Sequence, residues 1–195
     1  MAAIRRALVA AGVLSLALVT GTPAEAVTYP TIPATGTFSF ATANGILPTW
    51  SSENITLVGI SPGSVVTSAA NTTAKVSVPL IAKTGTANAA AGGFRLYNTV
   101  TGASVRCANP TIDTRARLVD CVLADGTNAK LFTIRSIGSR ARVTGVSTIT
   151  TIFRRIQLRI NGTAMADMLN EELDTSSFSP YVTVGTGDLV VTRDR

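Results

Sequence analysis

Apolar side chains recur at every second position along several stretches of this chain, and that period commits those stretches to β-strands. Ala74, Val76, Val78 and Leu80 line one side of a segment whose other side offers Lys75, Ser77 and Pro79. Val105 and Cys107 alternate with Ser104 and Arg106, Ile156, Leu158 and Ile160 with Arg155, Gln157 and Arg159, and Phe38 and Phe40 flank Ser39. Successive strand side chains point to opposite faces, so each segment buries one face and wets the other. Pro79 lacks an N–H for a ladder and predicts an edge position for its strand.

Turn residues fall between these runs. Asp125-Gly126 separates two apolar stretches and is the strongest hairpin signal, because both residues tolerate positive φ. Ser61-Pro62-Gly63, Gly92-Gly93 and Thr101-Gly102 mark further breaks. About ten short strands with few helix-length segments between them give an all-β class, an antiparallel β-sandwich or partly open barrel. One short amphipathic helix is expected near the C-terminus, over residues 163–173, with Thr163 as its cap and Met165, Met168, Leu169 and Leu173 on its apolar side. Gly185 and Gly187 read as a bulge or turn leading into a last strand.

The first 26 residues read as an address. Arg5 and Arg6 precede an uncharged run from Ala7 to Val19, and Ala24-Glu25-Ala26 supplies small residues at a cleavage site, the pattern of a secretory signal peptide. The run is too short for a bilayer span, which needs about 20 residues. Residues 27–36, with Pro30 and Pro33, form an extended lead or edge strand, and residues 37–195 a single domain. Cleavage would remove two of the 17 basic and one of the 11 acidic residues and leave a net charge of +5. The expected product is a secreted protein with no membrane span, held at the cell surface, if at all, by non-covalent contacts.

Cys107 and Cys121 are the whole thiol inventory, and an even count in an oxidising compartment reads first as a disulfide. The chain contains no histidine, which removes the commonest general base and metal ligand. Two thiols alone do not complete a zinc site, no acidic calcium loop is present, and no glycine-rich phosphate loop stands between a strand and a helix, so no metal or cofactor is implied. A serine nucleophile would need a lysine base, and none of the three lysines sits in the required spacing. Asp113 and Asp120 are the one carboxylate pair that a polysaccharide hydrolase or lyase would draw on.

Between Gly126 and Ala166 stand seven cations, Lys130, Arg135, Arg140, Arg142, Arg154, Arg155 and Arg159, and no anion. Alternation puts Arg155, Gln157 and Arg159 on one face, and a neighbouring strand bearing Arg140 and Arg142 would widen it into a basic stripe. Such a stripe suits an anionic cell-wall polymer; the same residues also serve to solvate a sheet and to pair with the acidic helix that follows. No Trp or Tyr stands among these cations to stack bases, which argues against nucleic acid as the partner. Trp50 is either a platform for a sugar ring or a core anchor, the commoner role of a lone Trp in a small β-domain.

Arg outnumbers Lys 14 to 3. In composition, a signal peptide ahead of a Thr-rich, Arg-over-Lys β-domain resembles small exported proteins of high-GC Gram-positive bacteria. That resemblance carries no motif and no functional residue. The functional expectation is a non-enzymatic binding or structural module of the cell envelope whose partner meets the basic face. The alternatives are a carboxylate-based enzyme, or a component that assembles with copies of itself or another exported protein through a strand edge.

Overall fold

The structure, a computed structural model, describes residues 30–195. The signal peptide expected over residues 1–26 lies outside the described residues. Along the chain come β1 (Thr31–Pro33), β2 (Thr35–Thr42), α1 (Ile46–Ser52), β3 (Ile55–Ile60), β4 (Ser64–Thr67), β5 (Ala74–Thr84) and β6 (Ala87–Ala90). There follow β7 (Gly93–Asn98), β8 (Ser104–Asp113), β9 (Leu118–Val122), β10 (Asn128–Thr144), β11 (Thr148–Ile160), α2 (Gly162–Leu173) and β12 (Thr183–Asp194). Residues 31–36, expected in the lead, are therefore largely sheet, and Ala34 among them is buried.

All pairings are antiparallel. Hydrogen bonding runs β5-β2-β12-β11-β10-β9-β8 without a break, and β6 joins β8 back to β5, which closes eight strands into a ring. Closure is confined to one end. β5 pairs with β6 only from Leu80 onward, while its first half pairs with β4. β8 likewise meets β6 at Thr111–Asp113 and β7 before that. Neither helix is part of the ring, yet both add buried side chains to its core: α1 contacts β3, and α2 contacts β7, β8 and β11. Of the two architectures left open by the sequence, the partly open barrel describes this arrangement.

The barrel interior is filled by phenylalanine. Phe40 sits 5.8 Å from Phe94 and 6.1 Å from Phe132 between ring centroids, with Phe38 5.9 Å away on its own strand. Their edge-on and tilted contacts add to the area they remove from water. Gly185 and Gly187 make room for them. The two glycines, expected to form a bulge or turn, lie within β12 opposite Thr42 and Phe40, and each abuts a register shift against β11, Gly187 at Phe153/Ile156 and Gly185 at Leu158/Arg159. A methyl group on Gly187 would stand 2.6 Å from Cα and Cβ of Phe40 and overlap the Ser39 carbonyl oxygen. Their purpose is close approach of a ring to a backbone, the second meaning of glycine in a strand.

Three further expectations need correction. Pro79 does not mark an edge: β5 has partners on both sides, and Pro79 falls where β4 gives way to β6. There its carbonyl accepts from the Ala91 N–H and no ladder needs the N–H it lacks. Thr163 does not cap α2, which starts at Gly162 after Asn161 and has no side-chain cap. The Asn161 Oδ1 is already taken by the Thr133 hydroxyl at 2.7 Å. A second helix, α1, is present as well, and it buries Trp50 against Phe178 at 5.3 Å between centroids, the core-anchor alternative.

Cys107 and Cys121 are bonded, with Cα atoms 4.8 Å apart and both side chains in the core. Replacing both by Ala is expected to lower unfolding free energy by roughly 3 kcal/mol, the loop-closure value for a 15-residue loop. Gly187→Ala is expected to cost about 3 kcal/mol by overpacking, against about 1 kcal/mol for Gly126→Ala, where positive φ is the sole obstacle and nothing lies within 4 Å. Urea unfolding of the two glycine variants checks the ordering.

Candidate functional site: the cationic mouth of the barrel

Where the basic residues go is decided by one irregularity. β11 pairs with β12 as Phe153 opposite Leu189 and then Ile156 opposite Gly187, so Arg154 and Arg155 together stand against Asp188. This is a β-bulge, and it reverses the sense of alternation along the strand. Arg155 has φ +53°. Asp188 holds the bulge: one carboxylate oxygen accepts the Arg155 backbone N–H at 3.0 Å, and the other lies 3.6 Å from the Arg154 guanidinium. That is the ion pair found among the described residues, so the carboxylates of α2 do not pair with the arginines.

Inside the barrel, Phe153 is continued by Ile156, Leu158 and Ile160, all buried. Gln157 and Arg159 therefore point outward. Arg140 is the cross-strand partner of Phe153, and Arg142 of Thr151, so both share the inward sense of Phe153. The single stripe drawn from alternation is thus divided. Arg140 and Arg142 belong to the barrel's mouth, Gln157 and Arg159 to its outer wall, and Arg155 to the bulge.

At the mouth lies a cavity of about 570 Å³, a size usual for small-molecule sites and a place where barrels commonly hold them. Five cations surround it: Lys83 of β5, Arg115 of the β8–β9 turn, Arg140 and Arg142 of β10, and Arg193 of β12. No carboxylate lines it. Ile137, Ile149, Phe153 and Val191 form apolar walls, and Thr86, Asn88, Thr114, Ser139 and Thr151 supply neutral polar groups. The Arg140 guanidinium lies over the Phe153 ring, 5.3 Å from its centroid, which steadies a long side chain at the rim. Lys83, Arg115 and Arg193 stand outside the sequence run that drew attention to the arginines; only the closure of the ring brings them to it.

Electrostatics at the mouth follow from this crowding. Burial, then the nearby Arg193 and Arg140, hold the Lys83 ammonium below the ordinary lysine value, with Asp113 pulling the other way. Burial raises the Asp113 carboxyl, yet the Ala116 N–H, the Thr86 hydroxyl and the Arg115 N–H outweigh it and keep the group below its usual range. The Ala116 and Arg115 bonds, at 2.9 and 2.8 Å, also fix the turn that presents Arg115. Asp120 is opposite in behaviour. Burial pushes its carboxyl up, Lys130 across the strand pair offsets only part of this, and its buried Oδ1 has no partner.

Asp113 and Asp120 do share a face, since Asp120 pairs with Thr111, two residues from Asp113. It is the outer face, because their neighbours Ile112, Val119 and Cys121 fill the interior. Neither aspartate lines the cavity. Among the described residues no three of His, Cys, Asp and Glu gather closely enough to hold a metal ion, and no helix is long and apolar enough to cross a membrane.

No family model and no curated protein matches the chain. Among solved structures, the fold is similar to that of the heme binding protein HtaB from Corynebacterium glutamicum, with 12% sequence identity and a TM-score of 0.50. The match covers 85% of this chain and 96% of that one. At such identity the likeness is one of fold.

Asp120 yields a stability test. Because its folded-state pKa is raised, its stabilising contribution is complete below the unfolded value and is lost as pH rises through the folded one. Asp120→Asn is therefore expected to raise Tm by a few degrees near neutral pH, the gain vanishing as pH falls below the ordinary aspartate value of 3.8. Thermal melts of both proteins across that range measure it.

Proposed function

We propose that this chain is an exported, non-enzymatic binding module of the cell envelope, and that the mouth of its barrel captures an anionic ligand. The observation that carries the reading is the convergence of five cations from four separate chain segments on one cavity that no carboxylate lines. Like charges repel, so gathering them costs stability that a bound anion returns. Burial does most to depress the Lys83 ammonium, and Arg193 and Arg140 add repulsion to it. A carboxylate-based enzyme fits less well: neither Asp113 nor Asp120 lines the cavity, and Asp113, which neighbours its Thr86 and Lys83, is held by the Arg115 and Ala116 N–H groups of its own turn.

The heme of HtaB tests how far the likeness of fold extends to ligand. Heme bears two carboxylates, which suit the arginines of the mouth, but its iron is ordinarily held by His, Cys, Met or Tyr. This chain has no His, and its two cysteines are bonded to each other. Tyr97, Tyr181, Met165 and Met168 do not line the cavity. The mouth therefore fits the anionic part of such a group and not its iron. The ligand is read from charge alone, and an anionic polymer of the cell wall remains the partner that best matches an exported basic protein.

Titration calorimetry with polyphosphate at increasing NaCl checks the reading. Affinity is expected to fall steadily as salt screens the rim. Arg140→Ala with Arg142→Ala should weaken binding by about tenfold or more, as lost charge-assisted bonds do. Arg155→Ala with Arg159→Ala, away from the mouth, should change it less than about twofold. Failure to bind, or equal sensitivity of the two pairs, would remove the mouth as the site.

A further inference from the structure

Among the described residues lining the cavity, Asn88 has a buried polar atom that no donor reaches. It is 1% exposed and lies on β6, the strand that closes the ring. Its amide N–H groups both donate to backbone carbonyls, to Thr86 and to Ile112, each at 3.1 Å. That fixes the amide's orientation and leaves Oδ1 as a buried acceptor with no donor. Buried acceptors are seldom left so, because the lost hydration is not recovered.

The rim and this floor make opposite demands on a ligand. Lys83, Arg140, Arg142 and Arg193 call for an anionic group. Asn88 Oδ1 calls for a hydrogen-bond donor, which an ionised carboxylate or a phosphodiester does not possess. Thr86, Thr114, Ser139 and Thr151 add hydroxyls that both donate and accept. We infer that the mouth recognises a hydroxylated anion, a uronic acid or a polyol phosphate, with the rim cations on its charge and one of its hydroxyls on Asn88 Oδ1. The inference rests on the mouth being an anion site and names what kind of anion it takes.

Access to Oδ1 involves Lys83, the cross-strand partner of Asn88. Its long, flexible side chain stands beside the amide at the cavity wall. Both residues line the cavity, so an anion held by the Lys83 ammonium brings its hydroxyl to the wall that carries Asn88. Phe153 and Ile149 offer apolar surface to the carbon faces of a sugar or polyol.

The test compares anions matched in charged group and differing in hydroxyls, with the intact exported protein. Poly(glycerol phosphate) is set against polyphosphate, and oligogalacturonate against polyacrylate, by calorimetry at one ionic strength. In at least one pair the hydroxylated member is expected to bind about tenfold more tightly, the worth of one hydrogen bond otherwise unmade. The pair showing the preference identifies the source as phosphate or carboxylate. Asn88→Ala is expected to narrow that preference to within about twofold. Should that variant fail to fold, wild-type protein with a deoxy analogue of the preferred ligand carries the same comparison. Equal affinities within both pairs would overturn the inference, with a buried water as the occupant of Asn88, while leaving the anion site standing. No binding of any polyanion would remove both.

Discussion

The contact on which the molecule depends is the one between Phe40 and the backbone at Gly185 and Gly187. Phe40 is the hub of the interior: Phe38, Phe94 and Phe132 all pack against it, drawing in β2, β7 and β10. A ring can occupy that position only because β12 presents no side chain beneath it. The same absence lets β2 and β12 pair without a break from Thr35 to Thr42. Interiors are packed closely enough that a single methyl group is felt, so two glycines set the spacing of half the barrel.

From that interior the mouth follows by register. Strand pairing alone would have placed Arg140, Gln157 and Arg159 on one side of the sheet. The bulge at Arg154 and Arg155, pinned by Asp188, inverts that relation and leaves Arg140 and Arg142 looking inward. β10 runs past β9 at this end, its residues 138–144 all exposed, while β12 accompanies β11 as far as Asp194 opposite Thr148. The cationic rim is thus the overhang of a hairpin above a filled core, its apolar walls being the last layer of the core itself.

Much of the fold was legible because burial follows period two faithfully where strands are regular. Val76, Val78 and Leu80 all face inward, as do Ile156, Leu158 and Ile160, and the Asp125-Gly126 hairpin stands where its residues put it, its Asp125 carboxylate accepting from Thr127. The site was legible only in part. The bulge carries no glycine, and its anchor, Asp188, lies on another strand, so nothing local betrays it. Lys83, Arg115 and Arg193 are separated in sequence and united by ring closure. α1 has only seven residues, too few for a 3.6-residue period to show. Glycine within a strand marks a bulge or a close approach, and Gly185 and Gly187 do both, beside register shifts against β11 and under Phe40; without knowledge of Phe40 across the pair the second meaning stays hidden.

The shortness of β6 has a mechanical meaning. Its four residues, three of them alanine, are the stitch that joins β5 to β8, and ladders of such length with so little side chain to anchor them open more readily than the rest of a barrel. The wall carrying Asn88 is consequently the one that gives way first under strain. Four pairings to β5 and three to β8 hold that seam, against eleven between β10 and β11, so local opening starts in the wall of Asn88 and reaches the long ladders last.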